Sequence, residues 1–222
     1  MCMFAPRHRF ILQSVPAMYI HPPRFITRLF PSLRWGFDPD EYAGRVFLTF
    51  DDGPTPGVTP WIVETLGKFG AKATFFCLGK NVEQYPDLYR LIIDEGHVVG
   101  NHTYSHMKGW GTSPERYIED VDLADSFIRS NLVRPPYGRI TPSQARRLSE
   151  RYNIIMWDVL SRDYSRILSP AACLNNVTRH MRSGSVVVFH DSLKAYRNMS
   201  YALPRTLEYA ASLSLKCESI VL

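Results

Sequence analysis

Val46-Phe47-Leu48-Thr49-Phe50-Asp51-Asp52-Gly53-Pro54 decides how the chain is read. Val46–Phe50 is continuously apolar or β-branched, without the polar alternation of a half-exposed strand, which suits a parallel sheet buried on both faces. Two adjacent carboxylates end that strand, and a Gly-Pro turn follows. Taken alone, Asp-Asp-Gly reads equally well as an acidic turn capping nearby amides. Its position favours chemistry, because the carboxyl ends of parallel strands open onto the active-site face of α/β folds. Adjacent side chains also point in different directions, so one carboxylate can bind a metal while its neighbour stays free as a base. Two like charges this close need a cation or an arginine to stay ionised.

Working outward, six further runs read as strands: Ala73–Leu78, His97–Gly100, Leu132–Arg134, Ile154–Val159, Ser185–Phe189 and Cys217–Val221. Helices fall between them. Thr59-Pro60, Ser113-Pro114, Thr141-Pro142 and Ser169-Pro170 each set an N-cap hydroxyl before a proline at the first helical position. Thr141 with Gln144 fits a capping box, and Gly70, Gly96 and Gly184 stand where helices should stop. Tyr117, Val121, Ala124 and Ile128 recur at helical spacing on a helix over Pro114–Ser130, a core-facing stripe. About seven parallel strands joined by helices imply a (β/α) barrel or a doubly wound sheet.

The 222 residues suit one domain, and 45% hydrophobic content supplies a full core. The net charge of +5 is spread out except near the front, and no nucleic-acid-binding signature accompanies it. Cys2, Cys77, Cys173 and Cys217 form no CxxC pair, so reduced, structural thiols are expected. A secretory signal needs an unbroken apolar core of roughly 7–15 residues. Here Phe10-Ile11-Leu12 is interrupted by Gln13, Ser14 and Pro16, and no run reaches the roughly 20 apolar residues of a membrane span. The expected location is therefore cytoplasmic by default, with Met1 or Met18 as the start. Residues 1–44 read as an N-terminal extension or cap, and 45–222 as the functional domain. The basic-apolar segment from Arg24 to Trp35 is expected to pack across the bottom of that domain. Peripheral contact with a membrane surface is its alternative.

Four more elements carry chemistry. In Asn101-His102-Thr103-Tyr104-Ser105-His106 the two histidines are four apart, which on a helical turn places both on one face to chelate an ion. With a carboxylate they leave open positions for water, as catalytic zinc sites do, and the same ligands accept Co, Ni, Fe or Mn. Val133-Arg134-Pro135-Pro136-Tyr137-Gly138 sets a permanently charged arginine before a stiff bend. Trp157-Asp158-Val159-Leu160-Ser161-Arg162-Asp163-Tyr164 follows another strand. His190 ends the penultimate strand, a natural place for a general acid. His8, His21, His97 and His180 have no such setting and read as structural or surface residues.

With these elements in order, the chain from about Val46 to its end resembles the polysaccharide deacetylase family, the NodB-like domain of carbohydrate esterase family four. Its first three motifs appear as Thr49 to Asp52, His102 to His106 and Arg134 to Gly138. The resemblance implies a distorted (β/α) barrel of about seven parallel strands, favouring the barrel over the doubly wound sheet. It implies a divalent metal, zinc first, on Asp52, His102 and His106. Asp51 would be the base that activates water, Arg134 its partner, and the Tyr137 N–H an oxyanion donor. Asp163 would orient His190, the acid that protonates the leaving amine. The match departs from the family at Leu160, where an acid is expected, and at Tyr164 and Val188, where the family has tryptophan and leucine around the acetyl methyl. The implied reaction removes an N-acetyl, or an O-acetyl, group from an amino-sugar glycan or its precursor. Two other classes fit parts of the pattern. A non-heme iron oxygenase shares the two-His, one-carboxylate set but predicts an all-β core, and a glycan-binding module of the same fold would have lost turnover.

Overall fold

The computed structural model describes residues 31–222. The readings of Cys2, His8, His21, Met18 and most of the segment from Arg24 lie outside the described residues. The strands are β1 (Leu33–Arg34), β2 (Arg45–Asp51), β3 (Thr74–Cys77), β4 (Val98–Asn101), β5 (Leu132–Val133), β6 (Asn153–Ile155), β7 (Val159–Leu160), β8 (Val186–His190) and β9 (Lys216–Cys217). The helices are α1 (Thr59–Lys68), α2 (Gly79–Gln84), α3 (Pro86–Asp94), α4 (Pro114–Asp125), α5 (Pro142–Leu148), α6 (Pro170–Thr178) and α7 (Leu193–Ser212). The sheet runs β1-β6-β5-β4-β3-β2-β8-β7, with β9 joining the start of β2. Every pairing is parallel. The all-β core required of the oxygenase reading is not what the chain builds.

Nine strands stand among the described residues where seven were expected. One addition is β1, whose Leu33 and Arg34 pair with Ile154 and Ile155 of β6. The other comes from splitting the expected strand Ile154–Val159. Its first half lies beside β5, whereas its second half pairs with β8 at the opposite edge. Four residue steps separate Ile155 from Val159, a reach of at most about 14 Å. The two ends of the sheet must therefore approach each other, which curls it into a distorted barrel. The last expected strand is also shorter: Cys217 pairs with Val46, and beyond it the chain continues through single bonds, Glu218 N–H to the Val46 carbonyl and Ile220 N–H to the Thr74 hydroxyl.

Side chains of β2 alternate between two cores, as strand geometry requires. Val46, Leu48 and Phe50 pack outward with Ile62 and Leu66 of α1 and Leu203 and Leu207 of α7. Phe47 packs inward with Phe76, Leu132, Ile155 and Val186, one residue from each of four other strands. Thr49 and Asp51 share the face of Phe47 but are polar, so the upper interior of the curl needs a polar partner.

Ser113, Thr141 and Ser169 cap their helices through Arg116, Gln144 and Ala172 N–H, with the capping box at Thr141 complete. Thr59 does not: Val58 is the N-cap of α1, and the Thr59 hydroxyl accepts from Thr55 N–H and donates to Asp191. α4 stops at Asp125, short of Ser130, yet Tyr117, Val121, Ala124 and Ile128 are all fully buried. Gly70 and Gly96 follow α1 and α3 with positive φ, whereas Gly184 lies in the turn into β8 rather than at a helix end. No helix among the described residues is long and apolar enough to cross a membrane.

Candidate active site

The polar partner inside the curl is Arg134, fully buried at the end of β5. Its Nη1 donates to Asp51 Oδ1 and to Thr49 Oγ1, each at 2.7 Å. Nη2 donates to the Met156 carbonyl at 2.8 Å, Nε to the Ile155 carbonyl at 3.2 Å, and the guanidinium lies 4.1 Å from the Phe76 ring centroid. Burial pulls its pKa below the ordinary arginine value, and Asp51 recovers only part of the loss. Asp51 is thus fixed through Oδ1, while Oδ2 faces His102 Nε2 at 4.0 Å.

Asp52 leaves the strand direction with φ 80°, and Asn81 Nδ2 donates to its carbonyl at 2.8 Å. Its Oδ1 lies 3.2 Å from His106 Nε2 and 3.7 Å from His102 Nε2. One ligand atom from each of the three residues lies within 4.8 Å of the others. Burial opposes ionisation of Asp52, and the neighbouring His106, His190 and His102 overcome it, holding the carboxyl below the usual range. Burial pushes His102 down to about 4 against the pull of Asp51 and Asp52, so its ring is neutral. The Arg134 carbonyl stands 2.7 Å from His102 Nδ1 and can only accept. Nδ1 therefore carries the proton, and Nε2 turns its lone pair to the site. Asp52 Oδ1 is buried with no hydrogen-bond partner among the described residues. An orphaned buried acceptor beside two imidazoles is satisfied by a divalent cation, so the residues fit one.

The histidine pair meets by a route the sequence did not suggest. Residues 102–110 contain no helix, and Thr103 and His106 take left-handed φ of 65° and 63°. Side chains capture the amides that a helix would have paired. Asn101 Oδ1 accepts from Thr103 N–H, and Asp120 accepts from the N–H groups of Tyr104 and Ser105 and from the Ser105 hydroxyl. The rings still stand 5.2 Å apart, centroid to centroid.

His190 closes β8 on the other side of β2. Its Nδ1 lies 2.8 Å from Asp163 Oδ1, and its N–H donates to Asp163 Oδ2 at 2.8 Å. Burial lowers the imidazole pKa, but fully buried Asp163 outweighs it, and with Asp52 and Asp51 holds it up at about 9. Asn198 Nδ2 bonds the Asp163 carbonyl at 2.9 Å. Tyr164 meets the His190 ring edge-on at 4.8 Å, and Tyr137, left-handed at φ 60°, does the same to His106 at 4.6 Å.

These groups line one cleft of about 810 Å³. All ten residues singled out from the sequence belong to it or bond to residues that do. Trp35, Trp110, Arg139, Leu160, Ser192 and Lys194 line it too. Of these, the sequence reading gave only Leu160 a place in a motif. His97 stays outside, buried and accepting from Ala73 N–H, as expected of a structural histidine. Cys77, Cys173 and Cys217 are free, also as expected.

Asp191 had no assigned role. It is fully buried, its Oδ2 accepts from Thr59 Oγ1 at 2.5 Å, and burial, with Asp52 adding, pushes its pKa up to about 8 against that hydrogen bond. A Cβ at Gly53 would stand 2.1 Å from the same Oδ2. Gly53→Ala should therefore displace the Asp52 turn, costing about 1–3 kcal/mol of overpacking strain. Thermal melting and a metal titration check this; an unchanged melting point with full metal uptake contradicts it.

A model of the family described as polysaccharide deacetylase matches residues 39–155. A peptidoglycan-N-acetylglucosamine deacetylase of Bacillus cereus is 36% identical over 201 residues, spanning 82% of this chain and 72% of that one. The chain belongs to the polysaccharide deacetylase family. A chitooligosaccharide deacetylase of a Bradyrhizobium strain is a second similar member of the family, 34% identical over 66% of this chain and 70% of its own. Among solved structures, that of the Bc1960 peptidoglycan N-acetylglucosamine deacetylase superposes with a TM-score of 0.77 at 28% identity, covering 88% of this chain and 94% of the other. The polysaccharide deacetylase fold is also that of a pseudoenzyme from Bacillus anthracis (TM-score 0.74, 23% identity, 86% and 68% covered).

Proposed function

We propose that the protein hydrolyses the N-acetyl group of an amino sugar within a glycan or glycan precursor, releasing acetate and leaving a free amine. The observation that carries this reading is the pair of proton-handling groups beside the three-donor cluster, each with a buried partner: Asp51 on Arg134 and His190 on Asp163. Asp52, His102 and His106 would hold a divalent cation, zinc first. When bound, it supplies Lewis acidity, which polarises a carbonyl and makes water more acidic. Oδ2 of Asp51, left open because Oδ1 is committed to Arg134, takes a proton from the attacking water. His190 Nε2 delivers a proton to the nitrogen as the C–N bond breaks, so the amine leaves neutral rather than as an anion. The left-handed turn at Tyr137 supports its N–H as an oxyanion donor. Val188, Leu160 and Tyr164 form the wall of the cleft against which the acetyl methyl would pack. The motifs fall within residues 45–222, and the working unit is taken to include β1 as well, since Leu33 and Arg34 pair with Ile154 and Ile155 of β6.

Acetate should be released from N-acetylated oligosaccharides by the metal-loaded protein, stop on chelation and resume when zinc, cobalt or manganese is restored. Absence of release from every N- and O-acetylated glycan tried would remove the proposal, and tight sugar binding without hydrolysis would favour a glycan-binding module.

The acid form of His190 is present below about pH 9 and is lost as the pH rises through that value. With a cation on Asp52, Asp163 is the main group left to sustain the raised value, with Asp51 behind it. Asp163→Asn should therefore move the basic limb of kcat/KM down by a unit or more toward the ordinary histidine range near 6.5. A basic limb left in place means that His190 is not the group titrating.

A further inference from the structure

The cleft is unevenly charged. Among the described residues its only carboxylates are Asp51 and Asp52, and both are engaged, one by Arg134 and the other by the histidines. Arg139 and Lys194 line the same space, and neither forms an ion pair among the described residues. Aromatic faces hold them instead. The Arg139 guanidinium lies 5.4 Å from the Trp110 ring and 5.8 Å from that of Tyr137, and the Lys194 ammonium lies 5.5 Å from the Tyr164 ring. Such packing restrains a long side chain without neutralising it. The two cations also flank the reaction centre. Arg139 follows the turn after β5, where Tyr137 packs on His106, and Lys194 follows β8, where Tyr164 packs on His190. β4, β3 and β2 lie between those strands. Trp110 and Tyr137, 56% and 62% exposed, offer aromatic surface to a neighbouring sugar.

We propose that Arg139 and Lys194 select a glycan bearing a carboxylate or phosphate on the sugar next to the acetamide sugar, in preference to a neutral N-acetylated chain. This rests on the deacetylase reading above, and binding separates the two. The metal-loaded protein is titrated by calorimetry with three oligosaccharides of equal length. One is all N-acetylglucosamine, one alternates N-acetylglucosamine with N-acetylmuramic acid, and one is an N-acetylglucosamine chain carrying a phosphate. Acetate release is followed in parallel. At low salt an anionic chain should bind at least tenfold tighter than the neutral one, and the better of the two identifies the anion. Lys194→Gln and Arg139→Gln should each cut that ratio about threefold or more, Lys194→Arg should keep it, and 0.5 M salt should collapse it. Equal affinity for all three chains, or an undiminished ratio in the Lys194→Gln, Arg139→Gln double variant, overturns the proposal. Selective binding without acetate from any chain would sink the deacetylase reading and leave this one standing.

Discussion

Asp51→Asn should keep the fold and the metal and lose about 10²- to 10⁴-fold in kcat, the span that a positioned general base supplies. The asparagine carbonyl can still accept from Arg134 Nη1, where the native distance is 2.7 Å, so the geometry at the end of β2 has a means of surviving. What disappears is the basic oxygen facing His102. The measurement is a metal titration beside steady-state acetate release. Bound metal with turnover reduced a hundredfold or more supports the assignment. Turnover within a few-fold of the parent protein shows that another group takes the proton. A variant that loses the metal as well would make Asp51 a ligand rather than a base.

The largest effect on stability is expected at Arg134. Arg134→Met fills much of the volume but leaves Asp51 buried without a countercharge, and it removes the donors to Thr49, Ile155 and Met156. Breaking a buried ion pair from one side typically costs about 3–5 kcal/mol, a large share of the 5–15 kcal/mol that holds an ordinary domain together. For a chain of this size each kilocalorie lowers Tm by roughly 2–4 °C. Thermal unfolding should therefore shift down by roughly 6–20 °C. Arg134→Lys should rescue little, because one ammonium cannot replace a planar fork that reaches four acceptors and covers the Phe76 face. Adding Asp51→Asn to Arg134→Met should recover part of the loss, since the uncompensated charge is then gone. A double variant no more stable than Arg134→Met would mean that the carbonyl bonds, rather than the ion pair, carry the energy.

The chemistry of the site was more legible in the sequence than its geometry. Asp51, Asp52 and His190 announce themselves because each ends a continuously apolar run, and the ends of parallel strands are where such folds place reactive groups. The parallel sheet was legible for the same reason. What escaped were features without a local signature. The left-handed backbone at Asp52, Thr103, His106, Tyr137 and Arg162 surrounds the site, yet no residue type at those positions demands it. At Thr103 and His106 it holds because side chains, Asn101 just before the loop and Asp120 further along the chain, take up the loop amides, which is how local strain is usually sustained near active sites. The split of Ile154–Val159 was hidden too, since one apolar run serves two strands toward opposite ends of the sheet. Asp191 has no legible role in the sequence, because its neighbours Thr59 and Gly53 lie far away along the chain.

Met156 stands between the rim and the interior. Its N–H donates to the Arg34 carbonyl of β1 at 2.7 Å, and its carbonyl accepts from Arg134 Nη2 at 2.8 Å. A chain trimmed to begin at Arg45 would keep every motif, but β6 would become a bare edge open to other strands. It would also loosen the residue that braces the arginine. The span that can be recognised and the span that can work are thus unequal here, and the boundary for any transplant of this activity falls before Leu33.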